Sequence, residues 1–231
     1  MESGQIVDYL VEVGILDPIE TDDELDFSDG FESALADQVE DMEAATGEQR
    51  QSWIETTIEN PNTQATLKAV ADRDPVFIGI SLLLADWAED LPQDQLIGVA
   101  ITLFQNRSEA PPDHGAPDYF LPIHGDTLGL VASLFERCIA FIWRDNCPTC
   151  ETVRGDFDEL FEHGPPEDLP LLSVYGPDSA AYLQEDFDVV GGPTVLFLLN
   201  GRVDVRLQGA HGRTVLENEI ETIQQRSVEA D

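Results

Sequence analysis

Four apolar stretches in the second half of the chain constrain its fold most: "CIAFIW" at 138–143, "DLPLLSVYG" at 168–176, "PTVLFLL" at 193–199 and "RVDVRLQG" at 202–209. Each is too short for a helix and reads as a strand. Helical segments fall between the first three, at 148–163 and in "DSAAYLQEDF" at 178–187, whereas only Asn200 and Gly201 separate the last two. Asn-Gly suits a two-residue hairpin because both central residues need φ > 0. A helical segment, "DTLGLVASLFER" at 126–137, precedes the strands, and "HGRTVLENEIETIQQR" at 211–226 follows them. Strands joined through helices pair in parallel by crossovers, and a hairpin adds an antiparallel partner. The expectation is an α/β domain with a four-stranded mixed sheet and flanking helices.

The first half has a different texture, and no alternation of period two occurs in it. Ser28 is placed as the N-cap of a helix with Phe31, Leu35, Val39 and Met42 at helical spacing, and Gly47 as its stop. Shorter helices are expected in "EQRQSWIETTIEN", ended by Pro61, and over 62–72. Asp74 and Pro75 open "VFIGISLLLADWAED", apolar nearly all round and so central to a bundle, and a last helix runs from Pro92 to about residue 106. The expected organisation is an all-α domain over 1–109, a proline-rich linker over 110–123 and the α/β domain over 124–231. Sequence alone assigns no role to the helical domain.

Charge narrows the partners. The chain carries 47 Asp and Glu against 11 basic residues, a net −36, and Lys68 is its single lysine. Residues 1–110 hold 25 acids and 4 bases, and the rest 22 acids and 7 bases, so nucleic acid is not an expected partner. Such self-repulsion is tolerable where salt shortens the Debye length from about 8 Å at physiological ionic strength to about 3 Å at 1 M. The surface resembles that of proteins from salt-accumulating halophiles. No basic residue precedes Arg50, so a positive signal-peptide n-region is missing, and the longest apolar run, 76–85, falls short of a membrane span. A cytoplasmic, membrane-free protein is expected.

Only three cysteines occur, and two of them, Cys147 and Cys150, sit three positions apart in "RDNCPTCETVRG". The pair could be a redox catalyst, half of a metal site, or two small apolar residues. A structural zinc site needs four ligands. Only Cys138 and four histidines remain, and Cys138 lies about 20 Å away along the strand at ~3.3 Å per residue. No metal and no cofactor are expected. Cys138 is read as a buried apolar residue, His114, His124 and His163 as solvated, and His211 as a surface histidine at a helix start.

Three motifs together resemble the thioredoxin-fold family over about residues 120–231. "FIWRDNCPTC" puts the pair at a strand–helix junction; "VGGPTVLFLLNGRV" resembles the family's cis-proline segment; "RLQGAHG" resembles the loop beyond the hairpin. The resemblance implies a thiol–disulfide oxidoreductase acting on client proteins and recharged by a dithiol reductase. Cys147 would be the exposed nucleophile and Cys150 the buried resolving thiol. Gly192, Pro193, Thr194 and Gly209 would border the substrate groove, with the Gly192–Pro193 bond cis. A helix N-terminus favours an anion, which would lower the pKa of Cys147, and Pro148 suits the first helical position. The chain also departs from the family: Phe141 stands where typical thioredoxins have an internal carboxylate, Asn146 replaces the usual tryptophan, and the dipeptide is Pro-Thr. Asp145 is a candidate proton shuttle in place of that carboxylate. The alternative reading is a thioredoxin-fold module that senses oxidation or binds a partner without turning over.

Overall fold

The computed structural model describes residues 3–18, 26–105, 110–166 and 168–226. The chain divides into two compact units, 1–110 and 111–231.

The first unit contains α1 (Ser3–Glu12), α2 (Asp29–Ala44), α3 (Gly47–Thr57), α4 (Pro61–Val70), α5 (Pro75–Trp87) and α6 (Leu96–Gln105). Caps set most of these starts. Ser28 Oγ accepts from Phe31 N at 3.1 Å, Asn60 accepts from Asn62 N and Thr63 N, and Asp74 from Val76 N and Phe77 N. Two punctuation residues act opposite to expectation. Gly47 does not stop α2; it opens α3 behind a capping box in which Thr46 and Gln49 satisfy each other's backbone N–H. Pro61 does not end α3 either, but occupies the first position of α4. Seven residues of α5 are buried, Phe77 to Leu82 and Leu84, so this helix is the axis of the unit. Phe77 meets Phe104 of α6 edge to face at 5.5 Å, and Phe31 of α2 meets Trp87 in the same way.

The second unit contains β1 (Leu121–Ile123), α7 (Leu128–Ala132), β2 (Arg137–Trp143), α8 (Pro148–Leu160), β3 (Leu171–Tyr175), α9 (Ala180–Phe187), β4 (Thr194–Leu199), β5 (Arg202–Gln208) and α10 (Arg213–Gln225). Short 3₁₀ turns lead into α7 and α9. The sheet order is β1-β3-β2-β4-β5, with β3 parallel to β1 and β2, and β4 antiparallel to β2 and β5. Asn200 and Gly201 turn the β4–β5 hairpin at φ 48° and 73°, as a turn with both φ positive demands.

Among the described residues the expected four strands are five. The extra one, β1, lies inside the segment expected as a linker and pairs Pro122 with Ser173 at the sheet edge, the place where a proline without an N–H is tolerated. The same segment buries Phe120 against Phe141 and Phe157 and belongs to the second unit. The helix expected over 126–137 is cut to a 3₁₀ turn and α7. Ser133 Oγ bonds back to Gly129 O at 2.6 Å, and Asn200 N takes Glu136 O at 2.8 Å, drawing the next residues into the sheet.

Candidate functional site: a vicinal dithiol beside a cis proline

β2 is the central strand, buried from Cys138 to Trp143, and it carries the chain out of the core at Trp143. That indole stays fixed because its Nε1 donates to Ser173 Oγ on β3 at 2.9 Å. Arg144, Asp145 and Asn146 then turn outward, with Asn146 at φ 52°, a conformation Asn tolerates better than a bulky residue. Cys147 follows as the N-cap of α8, and Pro148 takes the first helical position.

Cys147 and Cys150 form a disulfide with their Cα atoms 5.2 Å apart. The two sulfurs are not equivalent. Cys147 Sγ receives the N–H of Cys150 at 3.1 Å and has Thr149 Oγ1 at 3.4 Å. With the disulfide opened, the same N–H and the helix terminus would favour negative charge at this sulfur. The expected contrast in exposure is not found: Cys147 is 3% exposed and Cys150 5%. Burial therefore does not distinguish the cysteines, and the capping hydrogen bond does.

The resemblance placed Gly192, Pro193, Thr194 and Gly209 beside this pair. Gly192 O lies 3.8 Å from Cys147 Sγ, and the Gly192–Pro193 bond is cis, as expected. A Cβ on Gly192 would press at 3.3 Å on the backbone of Ile142 and Trp143, so glycine lets the loop lie close against β2. Gly209, at φ 83°, donates its N–H to Pro193 O at 2.8 Å and ties the loop after β5 to the cis proline. Thr194 is buried and its hydroxyl donates to Gly191 O. A cavity of about 190 Å³ opens on the far side of Gly192, walled by Ile142, Trp143, Leu183, Val189 and Val190.

The Asp145 carboxylate is held between two side chains. Its Oδ1 is 2.8 Å from His114 Nε2, and its Oδ2 accepts from Tyr175 OH at 3.0 Å. These bonds, His114's first, hold its pKa below the ordinary carboxylate value, and the bond to Asp145 raises that of Tyr175. His114 meets the Trp143 ring edge-on at 4.8 Å and lines, with both cysteines, Asp145, Arg144 and Arg154, a pocket of about 110 Å³. His114 is exposed, as read from sequence, and what sequence reasoning missed is its place beside Asp145 and the cysteine pair. A Cβ on its neighbour Gly115 would overlap the Trp143 indole. Tyr175 and the two arginines were missed as well, and no local motif marks them.

The other candidates lie elsewhere. Cys138 is fully buried on β2 with its thiol pKa pushed up to about 12 by desolvation. His211 is exposed and bonds Gln208 O. Phe141 is buried in the same apolar cluster as the two cysteines, packed on Phe157 and Phe120. Among the described residues, no group of three His, Cys, Asp or Glu is placed to hold a metal ion, and no helix is long and apolar enough to cross a membrane.

Residues 111–231 have a thioredoxin fold: a central β2 flanked by parallel β3 and antiparallel β4, with a cysteine pair at the N-terminus of α8 and a cis proline opposite. The fold rests on this topology. Similar solved structures include a single-site mutant of thioredoxin from Halobacterium salinarum NRC-1, at 23% identity over 49% of this chain and 97% of that one, with a TM-score of 0.41. Thioredoxin f2 of Chlamydomonas reinhardtii is similar at 17% identity, covering 47% and 99%, and spinach chloroplast thioredoxin f at 15%, covering 46% and 95%, both with a TM-score of 0.41. No family model matches the sequence, and no curated protein does.

Proposed function

We propose that the protein is a thiol–disulfide oxidoreductase that reduces disulfides of client proteins through the Cys147–Cys150 dithiol. The carrying observation is the position of Cys147 Sγ, capped by Cys150 N–H and 3.8 Å from the Gly192 carbonyl beside the cis proline. The Cys147 thiolate attacks one sulfur of the client disulfide, forming a mixed disulfide and expelling the client's other sulfur as a thiolate. Cys150 then loses its proton and attacks Cys147 Sγ, releasing the second client thiolate and closing the internal disulfide. Two electrons pass from dithiol to client, and a dithiol reductant restores the pair. The main-chain edge at Gly192 and the contact between Gly209 and Pro193 provide the surface on which a client strand would lie.

Proton transfer from Cys150 uses the polar pocket rather than the interior, because the interior wall is Phe141. Asp145, ionised and held by two donors, orients His114, and the imidazole exchanges the proton with solvent. Asp145 thus serves as a positioning residue and not as the shuttle itself. The acidic composition supports a salt-rich cytoplasm as the setting, where thiols stay reduced enough for turnover.

The test is a turnover assay in molar salt with a small dithiol reductant and a disulfide-rich protein. Sustained reduction is expected. Cys147→Ser should abolish it, and Cys150→Ser should accumulate mixed disulfides. Equal trapping by the two variants would refute the assigned roles. A second reading, a redox sensor, is favoured by the burial of both sulfurs and by Phe141. A single stoichiometric oxidation without cycling would select it.

A further inference from the structure

The basic residues are few, and most of those described are spent on acids. Arg50 pairs with Asp72, Lys68 with Glu55, Arg137 with Glu136, Arg206 with Asp188, Arg213 with Glu159 and Arg226 with Asp204. Arg144 and Arg154 differ. Each donates one long hydrogen bond to a main-chain carbonyl, Asp145 O and His114 O, both at 3.4 Å. Among the described residues neither has a carboxylate within ion-pair distance, in a chain with a net charge of −36. Both line the pocket that also holds the two cysteines.

The remaining charges in that pocket are Asp145, whose oxygens are taken by His114 and Tyr175, and the exposed Glu151. A guanidinium has five donors in a planar fork, and four remain on each arginine.

We infer that Arg144 and Arg154 make the dithiol pocket selective for anionic disulfides, those bearing a carboxylate beside the reacting sulfur, such as a client cysteine flanked by an acidic residue. The inference rests on the oxidoreductase reading and supplies its substrate class. An acidic client approaching an acidic protein is repelled over the whole surface, but that repulsion is diffuse and is cut off beyond ~3 Å in molar salt. A guanidinium–carboxylate contact at about 2.8 Å lies inside that length and persists. The pocket is therefore the place where charge can still discriminate at high salt. The redox step is unchanged: the substrate disulfide takes two electrons from the dithiol and leaves as two thiolates.

The experiment measures exchange of the reduced protein, in molar salt, with three small disulfides: dithiodipropionate (anionic), bis(2-hydroxyethyl) disulfide (neutral) and cystamine (cationic). Each rate is normalised to that of free dithiothreitol. Wild type should prefer the anionic probe over the cationic one. Arg144→Gln and Arg154→Gln should each lower the anionic-to-neutral ratio roughly two- to fivefold, the range of an exposed ion pair. Arg202→Gln removes the same charge from a guanidinium outside this pocket and should leave the ratio unchanged. Peptide disulfides with Glu or Gln beside the cysteine extend the series, and a Glu preference identifies a protein client while its absence identifies a small carboxylate disulfide. An unaltered ratio in the double variant, or an Arg202→Gln effect equal to the others, overturns the inference. Equal slowing with all three probes also overturns it and assigns the arginines to thiolate activation. Wild type inert toward every probe would instead sink the oxidoreductase reading, and the selectivity with it.

Discussion

The three cysteines show how position decides chemistry within one residue type. Cys138, buried among apolar neighbours with its thiol pushed up to about 12, holds almost no thiolate at neutral pH. Alkylating the reduced native protein should label Cys147, at the helix N-terminus, first and spare Cys138, which should take a label only after denaturation, read by intact mass. Asp145 lends itself to a pH test. Its carboxyl is held below its unfolded value by His114 and then Tyr175, so the stability it contributes is present at neutral pH and lost as pH falls through that lowered value. The raised phenol of Tyr175 acts oppositely: its contribution is present below the ordinary phenol range and lost as pH rises through the raised value. The clasp is thus complete only between those limits. In an NMR titration the Asp145 carboxyl should move up toward the ordinary value in His114→Gln, and by less in Tyr175→Phe; an unmoved Asp145 in both would dissolve the clasp. The cysteine pair and the cis proline were legible because they sit in contiguous motifs. The clasp was not, since His114 and Tyr175 are 31 and 30 residues from Asp145 and meet it only through the fold.

Elements were legible in proportion to their length and caps. Ser28 and Asp74 announce α2 and α5 because a short acceptor followed by helix-forming sequence has few other uses. Asp74→Ala should cost about 1 kcal/mol of stability by denaturant titration, the usual value of such a cap. Gly47 misled because glycine serves a stop and a start alike, and the deciding residue was the adjacent Thr46 with Gln49 behind it. β1 was invisible for another reason: three residues containing a proline have no periodicity, and only the edge of β3 makes them a strand. The packing of the segment before β1 can be tested at Gly115. A methyl there overlaps Trp143, so Gly115→Ala should destabilise the protein by about 1–3 kcal/mol, the cost of overpacking, and alter the near-ultraviolet signal of the indole. An unperturbed melt would show that this segment yields freely.

At the scale of the whole molecule, both units are acidic, with net charges of −21 for 1–110 and −15 for 111–231. Screening removes repulsion between many like charges faster than it weakens the few ion pairs that eleven basic residues can make. The thermal midpoint should therefore climb from tenths molar to molar salt; a flat or falling midpoint would remove the halophile reading. Phe141 carries a different consequence for the molecule as a redox couple. Opening the Cys147–Cys150 bridge takes up two electrons and, while both thiols stay protonated, two protons, so its midpoint potential should fall by about 59 mV per pH unit. A buried acid coupled to the pair would bend that line near its own titration. With a phenyl ring against Phe157 and Phe120 in that place, no interior acid is there to bend the plot, and the couple's potential tracks ambient acidity without a buffer in the core.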